Sequence, residues 1–208
     1  MGKYGKTGMC LFLCMVFLSG CGQENVAGKI GSTTLVLDSK GKVTAYLVGN
    51  FAREYYSLSE LESMVTGEAS GYNDNVSAAG QVDAVKVETV ELLESDSSKA
   101  MITFQYNSVD TYCDYNDVEL FYGTVDEAIA AGYALTEEDI FSVKDGSQAQ
   151  NGYLRQKASK QHVLITEEHI VFYCPYSVTY LSDGAVLNED GSVDMRACEG
   201  TGIILMKK

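Results

Sequence analysis

Apolar and polar positions change rhythm several times along this 208-residue chain. Residues 9–18 are apolar without a break; Lys3 and Lys6 precede them, and the small residues Ser19 and Gly20 follow. A charged start, a short apolar run and small residues at a cut site make a secretory signal peptide. Ten apolar residues are about half of what crosses a bilayer, and no later run is long enough to do so. Residues 22–32 lack periodicity and read as a flexible tether, which at ~3.3 Å per residue reaches about 35 Å.

Beyond residue 32 the rhythm becomes that of alternating strands. Residues 33–38 and 42–48 are rich in β-branched and apolar side chains around Ser39, Lys40 and Gly41, which predicts a hairpin. A helix follows from Ser57, whose hydroxyl and the Glu60 carboxylate form a capping-box pair, with Tyr56 stapling onto Leu61. Leu58, Leu61 and Val65 line one face at helical spacing, and the span between Gly67 and Gly71 offers the stop. Residues 84–93 and 100–106 predict a second strand pair around a polar turn, the first strand alternating and then blurring, so that one face is wet in part.

Residues 108–116 predict a short helix capped by Ser108, and 118–122 a strand. Thr124 and Glu127 repeat the capping box ahead of 128–131, with Gly132 as the stop. Residues 146–161 are polar and read as an exposed, mobile loop. Residues 162–166 and 169–174 look like a third hairpin; Pro175 interrupts, 176–181 is a strand ended by Asp183 and Gly184, 188–191 is a turn, and 203–206 a terminal strand. Strands on short turns with about three short helices make an α+β fold of mainly antiparallel β hairpins. Residues 33–208 suit a single globular domain, and no fixed-period repeat emerges.

Composition adds that this domain carries its own core: 46% of residues are apolar and 21% charged, as in folded globular chains. Without Lys3 and Lys6, the 15 basic residues become 13 against 29 acidic ones, a net charge of −16 with both histidines neutral. Such a balance argues against nucleic acid, polyanionic wall polymers and electrostatic adsorption to anionic lipid.

Leu18-Ser19-Gly20-Cys21 resembles the lipobox of bacterial lipoproteins. The resemblance implies cleavage before Cys21, a diacylglyceryl thioether on that residue, and attachment to the extracytoplasmic face of the cell membrane. Residues 1–20 are then the signal peptide and 21–32 the lipidated tether. Burying acyl chains stabilises by about 0.8 kcal/mol per CH₂, and two chains suffice for stable anchoring. A looser similarity links Tyr55 to Leu61, Tyr112 to Asn116 and Phe121 to Ala128 with uncharacterised small lipoproteins of Gram-positive bacteria. It implies a shared fold and carries no activity. Cys10 and Cys14 leave with the signal peptide; Cys113, Cys174 and Cys198 remain, an odd set best read as small apolar side chains, with their redox state left open.

Candidate chemistries are thin. His162 and His169 flank Glu167 and Glu168, but in a hairpin turning there they lie about 13 Å apart at ~3.3 Å per residue, too far to share a zinc ion that each must approach within ~2.1 Å. Asp114, Asn116, Asp117 and Glu119 crowd oxygens as calcium requires, and Asn73 to Asn75 and Asn188 to Asp194 do so more sparsely. The glycine and the distal glutamate do not fall where a calcium loop needs them. Ser39 and Lys42 match Ser-x-x-Lys, a pattern that needs a helical turn, yet they sit at a hairpin. No Gly-x-Ser-x-Gly elbow, phosphate loop or dinucleotide fingerprint occurs.

Tyrosine is the remaining signal: there are 14 with no tryptophan. Tyr55, Tyr56, Tyr112, Tyr115, Tyr122, Tyr173, Tyr176 and Tyr180 fall near element ends, where they suit half-buried strands or a recognition surface. The expectation is a membrane-anchored, non-enzymatic domain that binds a protein or small molecule, without metal or cofactor. The alternative is a cell-envelope hydrolase whose catalytic residues the sequence does not single out. A two-lobed solute-binding subunit is disfavoured by the absence of strand–helix alternation.

Overall fold

β1 (Thr34–Leu37) and β2 (Val43–Asn50) pair antiparallel about a turn closed by Asp38, whose carboxylate accepts from the backbone of Lys40 and Lys42. Gly41 sits there at φ +80°, a left-handed conformation that favours glycine. The second expected hairpin also forms, as β3 (Val85–Leu93) and β4 (Asp96–Tyr106), with a bulge at Val87 to Thr89, and β4 adds to β2. The structure, a computed structural model, describes residues 26–77, 80 and 83–208. The apolar run at 9–18 and the box ending at Cys21 lie outside the described residues.

Seven strands make the larger sheet, in the order β10-β11-β8-β1-β2-β4-β3. β8 (Val171–Tyr173) joins β1 in parallel, and β11 (Ser192–Asp194) and β10 (Val186–Leu187) continue it antiparallel. The smaller sheet is antiparallel throughout, β5-β7-β12-β9-β6. It consists of β5 (Leu120–Thr124), β6 (Ile140–Ser142), β7 (His162–Thr166), β9 (Ser177–Ser182) and β12 (Gly202–Lys207).

Residues 162–174 therefore do not form a hairpin: β7 lies between β5 and β12, both of its edges are taken, and the chain crosses to the other sheet for β8. Burial explains this. Val163, Leu164, Ile165 and Thr166 are all buried, the signature of a strand covered on both faces. Ile204 and Met206 of β12 join Leu35, Leu37, Phe104 and Phe172 in a core between the sheets. Ile203 and Leu205 face the other way, into a second core closed by α3 (Val125–Ala130) and α4 (Tyr153–Gln156).

α4 corrects the expected loop at 146–161. Leu154 and Ala158 are buried in that second core, so a few well-placed apolar side chains fix a stretch of polar composition. The stretch read as a tether is described from Val26; Ile30 is buried with Leu93 and Met101 on the outer face of the larger sheet, and packing thus begins before residue 33.

α1 (Leu58–Ser77) is the largest departure in the helices. It passes both Gly67 and Gly71, each costing up to about 1 kcal/mol relative to alanine in a helix interior. Against that, Val65 and Ala69 are buried on the larger sheet. Farther on, the Asn73 side chain donates to Val85 O at 2.7 Å and accepts from Val85 N at 3.0 Å. Tertiary contacts thus outweigh local propensity.

The short helices obey their caps. In α2 (Val109–Asn116) Ser108 accepts from Thr111 N, and Asp117 closes the helix at φ 53°. The Thr124–Glu127 capping box is complete in α3. Among the described residues no helix is long and apolar enough to cross a membrane.

Candidate functional site

At the end of the larger sheet where β2 finishes and β4 begins lies an open cleft of about 520 Å³. Its floor is Leu47 and Gly49 of β2 with Ile102 and Ala100 of β4, paired across the ladder. Leu61 and Met64 of α1 form a wall, and Phe51, Tyr55 and Tyr56 form the rim. The space exists because Gly49 faces the small Ala100: a Cβ on Gly49 meets nothing within 4 Å.

The rim is held by its own backbone. Phe51 N donates to Ser98 O at 2.7 Å, Ala52 N to Asn50 Oδ1 at 3.2 Å and Tyr56 N to Arg53 O at 3.0 Å. Tyr56 lies 5.2 Å from Phe51 and 4.9 Å, edge-on, from Tyr55, geometries aromatic rings favour. Ser57 accepts from Glu60 N at 3.4 Å, half of the expected capping box. Tyr56, expected as a staple on Leu61, has its ring against Phe51 and Tyr55. Tyr55 is 76% exposed, Met64 55%, Tyr56 45%, and neighbouring Leu92 of β3 40%. Large apolar side chains gathered in the open at one end of a fold mark an interaction site.

Glu60 is the carboxylate among the described lining residues. Placed in the first turn of α1, it disfavours an anionic ligand. What the cleft offers is apolar burial with a few polar groups at the rim, the make-up of a binding pocket.

The other candidate residues are dispersed. His169 Nε2 lies 2.8 Å from Gly200 O, while His162 sits between Tyr122 and Tyr176 with ring centroids 5.6 and 4.7 Å away. Burial lowers the pKa of His162. Asp114 accepts from Tyr72 OH at 2.7 Å, Asn116 donates to Tyr112 O, and Glu119 is exposed beside Asp110 and Cys113 in a shallow groove. Asp190 accepts from Tyr173 OH and from Ser192, which brings its carboxyl down to about 2. Among the described residues no three or more His, Cys, Asp or Glu side chains gather as for a metal ion. Ser39 and Lys42 belong to the β1–β2 connection.

Cys113, Cys174 and Cys198 are free thiols. Burial raises the pKa of all three, that of Cys174 to about 12, so none is a ready thiolate. Of the tyrosines, Tyr112 and Tyr115 pack with Tyr72, Phe104 and Tyr106, and Tyr180 packs on Tyr153. Tyr55 and Tyr56 are left as the exposed pair. Tyr112 OH also donates to Glu168, 2.9 and 2.8 Å from its two carboxylate oxygens. Sequence reasoning missed Gly49, Met64, Ala100 and Ile102. The one local trace of the cleft is the adjacent pair Tyr55 and Tyr56; Gly49 and Ala100 meet only once β2 and β4 have paired.

No protein-family model, no curated protein and no solved structure matches this chain.

Proposed function

We propose that this is a membrane-anchored extracytoplasmic binding protein, with its anchor on Cys21 and its ligand site in the cleft beneath Tyr55 and Tyr56. The observation that carries the reading is an open apolar cleft of about 520 Å³ rimmed by exposed aromatic side chains. Its volume falls within the range of about 300–1,000 Å³ typical of small-molecule sites. The ligand is apolar and not anionic, since Glu60 stands at the wall and the chain as a whole is acidic. Affinity then comes from buried area, about 25 cal/mol per Å².

Gly49→Leu tests the cleft. The site has ordinary φ and open space, so a leucine fills the floor without strain and removes the entropic penalty of glycine in a strand. Titration of the purified mature protein with the neutral apolar dye N-phenyl-1-naphthylamine is expected to be saturable, and at least about tenfold weaker in the variant, or about 1.4 kcal/mol. The melting temperature should hold or rise. Equal dye binding by a stable Gly49→Leu protein overturns the ligand site. For the anchor, mass spectrometry of the mature protein should find diacylglycerol on Cys21, and Cys21→Ala should leave the membrane fraction. A secreted protein with unmodified Cys21 overturns that half.

A further inference from the structure

The cleft lies at the same end of the larger sheet at which the chain enters the fold. β1 starts opposite the end of β2, and Thr33 Oγ1 accepts from Val48 N at 3.2 Å. On the reverse face of that end Ile30 is buried with Leu93 and Met101. Val48, Gly49 and Asn50 border both the cleft and the groove in which Gly31, Ser32 and Thr33 lie. The ligand site and the incoming chain are thus separated by the thickness of one sheet.

Resting on the reading of Cys21 as the anchor, we propose that this end of the domain lies against the bilayer and that the occupant of the cleft is the acyl region of a membrane lipid. Cys21 precedes Ile30 by nine residues, a reach of about 30 Å at ~3.3 Å per residue. The opposite end of the sheet is a further ~35 Å away along the eleven residues of β4, so it is the cleft end that the anchor keeps near lipid. Within that radius the surface is present at an effective concentration that makes even a weak apolar contact persistent.

The rim chemistry agrees. Tyr55 and Tyr56 carry an apolar ring with a polar tip, as interfacial aromatic residues do, and Met64 and Leu92 extend the apolar surface. The flanking charges include Arg53, Glu54 and Glu60, with Lys99 opposite Asn50 on the ladder and ion-paired with Asp96; they are of mixed sign, and the described residues lining the cleft hold no basic cluster for a phosphate. With a chain this acidic, contact with lipid must come from apolar burial. A partner protein would find the same rim, but nothing holds it there as the tether holds the bilayer.

The chain has no tryptophan, so Tyr55→Trp is a unique reporter at a highly exposed position. Tyr176→Trp serves as the far-end control: Tyr176 lies with His162 and Tyr122, and Tyr122 adjoins the Gly41 turn. Each mature protein is reconstituted into phosphatidylcholine vesicles carrying a lipid with a spin label near the head of its acyl chain. The Tyr55→Trp protein is expected to shift its emission to the blue and lose most of it, while the Tyr176→Trp protein keeps its own. Two unquenched reporters, or two quenched alike, overturn the proposal. So does a blue shift in Tyr55→Trp that needs an added envelope protein and is indifferent to the spin label, since that places a protein in the cleft. The mass of Cys21 in the same sample separates a failed anchor from a failed docking face, and dye binding reports on the cleft independently.

Discussion

A chain ending at Thr201 is expected not to fold, and Ile204→Ala is expected to lose about 2–5 kcal/mol of stability. Chain ends are ordinarily where truncation is tolerated. Here the last strand is central: β12 pairs with β7 through five residues and with β9 on its other side. Ile204, Leu205 and Met206 are fully buried, with Ile204 and Met206 in the core between the sheets and Leu205 in the core beneath α3 and α4. Removing 202–208 leaves two unpaired strand edges and opens both cores. Circular dichroism and urea unfolding check both variants. A cooperative transition in the truncated chain would remove β12 from the centre of the fold.

The second large effect lies under α2. Tyr112→Phe is expected to cost about 1.5–3 kcal/mol, the range for a hydrogen bond to a charged group. Its hydroxyl bridges both oxygens of Glu168, and burial raises the Glu168 carboxyl above its ordinary 4.5. A folded-state pKa above the unfolded one means that the folded protein holds the proton better. That stability is complete below about 4.5 and drains away as pH climbs through the folded value.

Glu168→Gln should therefore flatten the fall in stability above pH 4.5, and Tyr112→Phe should cost less in its background. Asp190 acts in the opposite sense: its carboxyl is held at about 2 by Tyr173 and Ser192, so its contribution is present above the ordinary 3.8 and lost as pH falls towards 2. Urea titrations from pH 3 to 8 on the four proteins (native, both single variants and the double) test this. A Tyr112→Phe cost unchanged by Glu168→Gln would show the pair to be uncoupled.

Signals that act within a few residues were legible from the sequence. Ser108, Thr124 and Glu127 cap the helices that their spacing indicates, and turns join the strand pairs at Ser39 to Gly41 and after Leu93, where the expected turn at 94–99 shortens to 94–95 because β4 already begins at Asp96. What escaped depends on partners distant in the chain. Gly67 and Gly71 point to a helix end until β3 is there for Asn73 to hold. Val163 to Thr166 and Val171 to Tyr173 look like neighbours until β12 and β1 claim them. The cleft was illegible for the same reason: Gly49, Ala100 and Met64 come from three elements, and only the rim pair Tyr55 and Tyr56 is visible as a local motif.

Synthesis proceeds from the N-terminus, and this gives the placement of β12 a consequence in time. β1 is made early but finds its parallel neighbour β8 only after most of the chain exists, and the smaller sheet waits for Gly202–Lys207. Pairings so far apart in sequence form slowly, because the entropy of closing the loop is lost before any contact repays it. Each growing chain therefore remains open until Gly202–Lys207 has emerged, and because that one strand brings Ile204 and Met206 to one core and Leu205 to the other, both close in one late event.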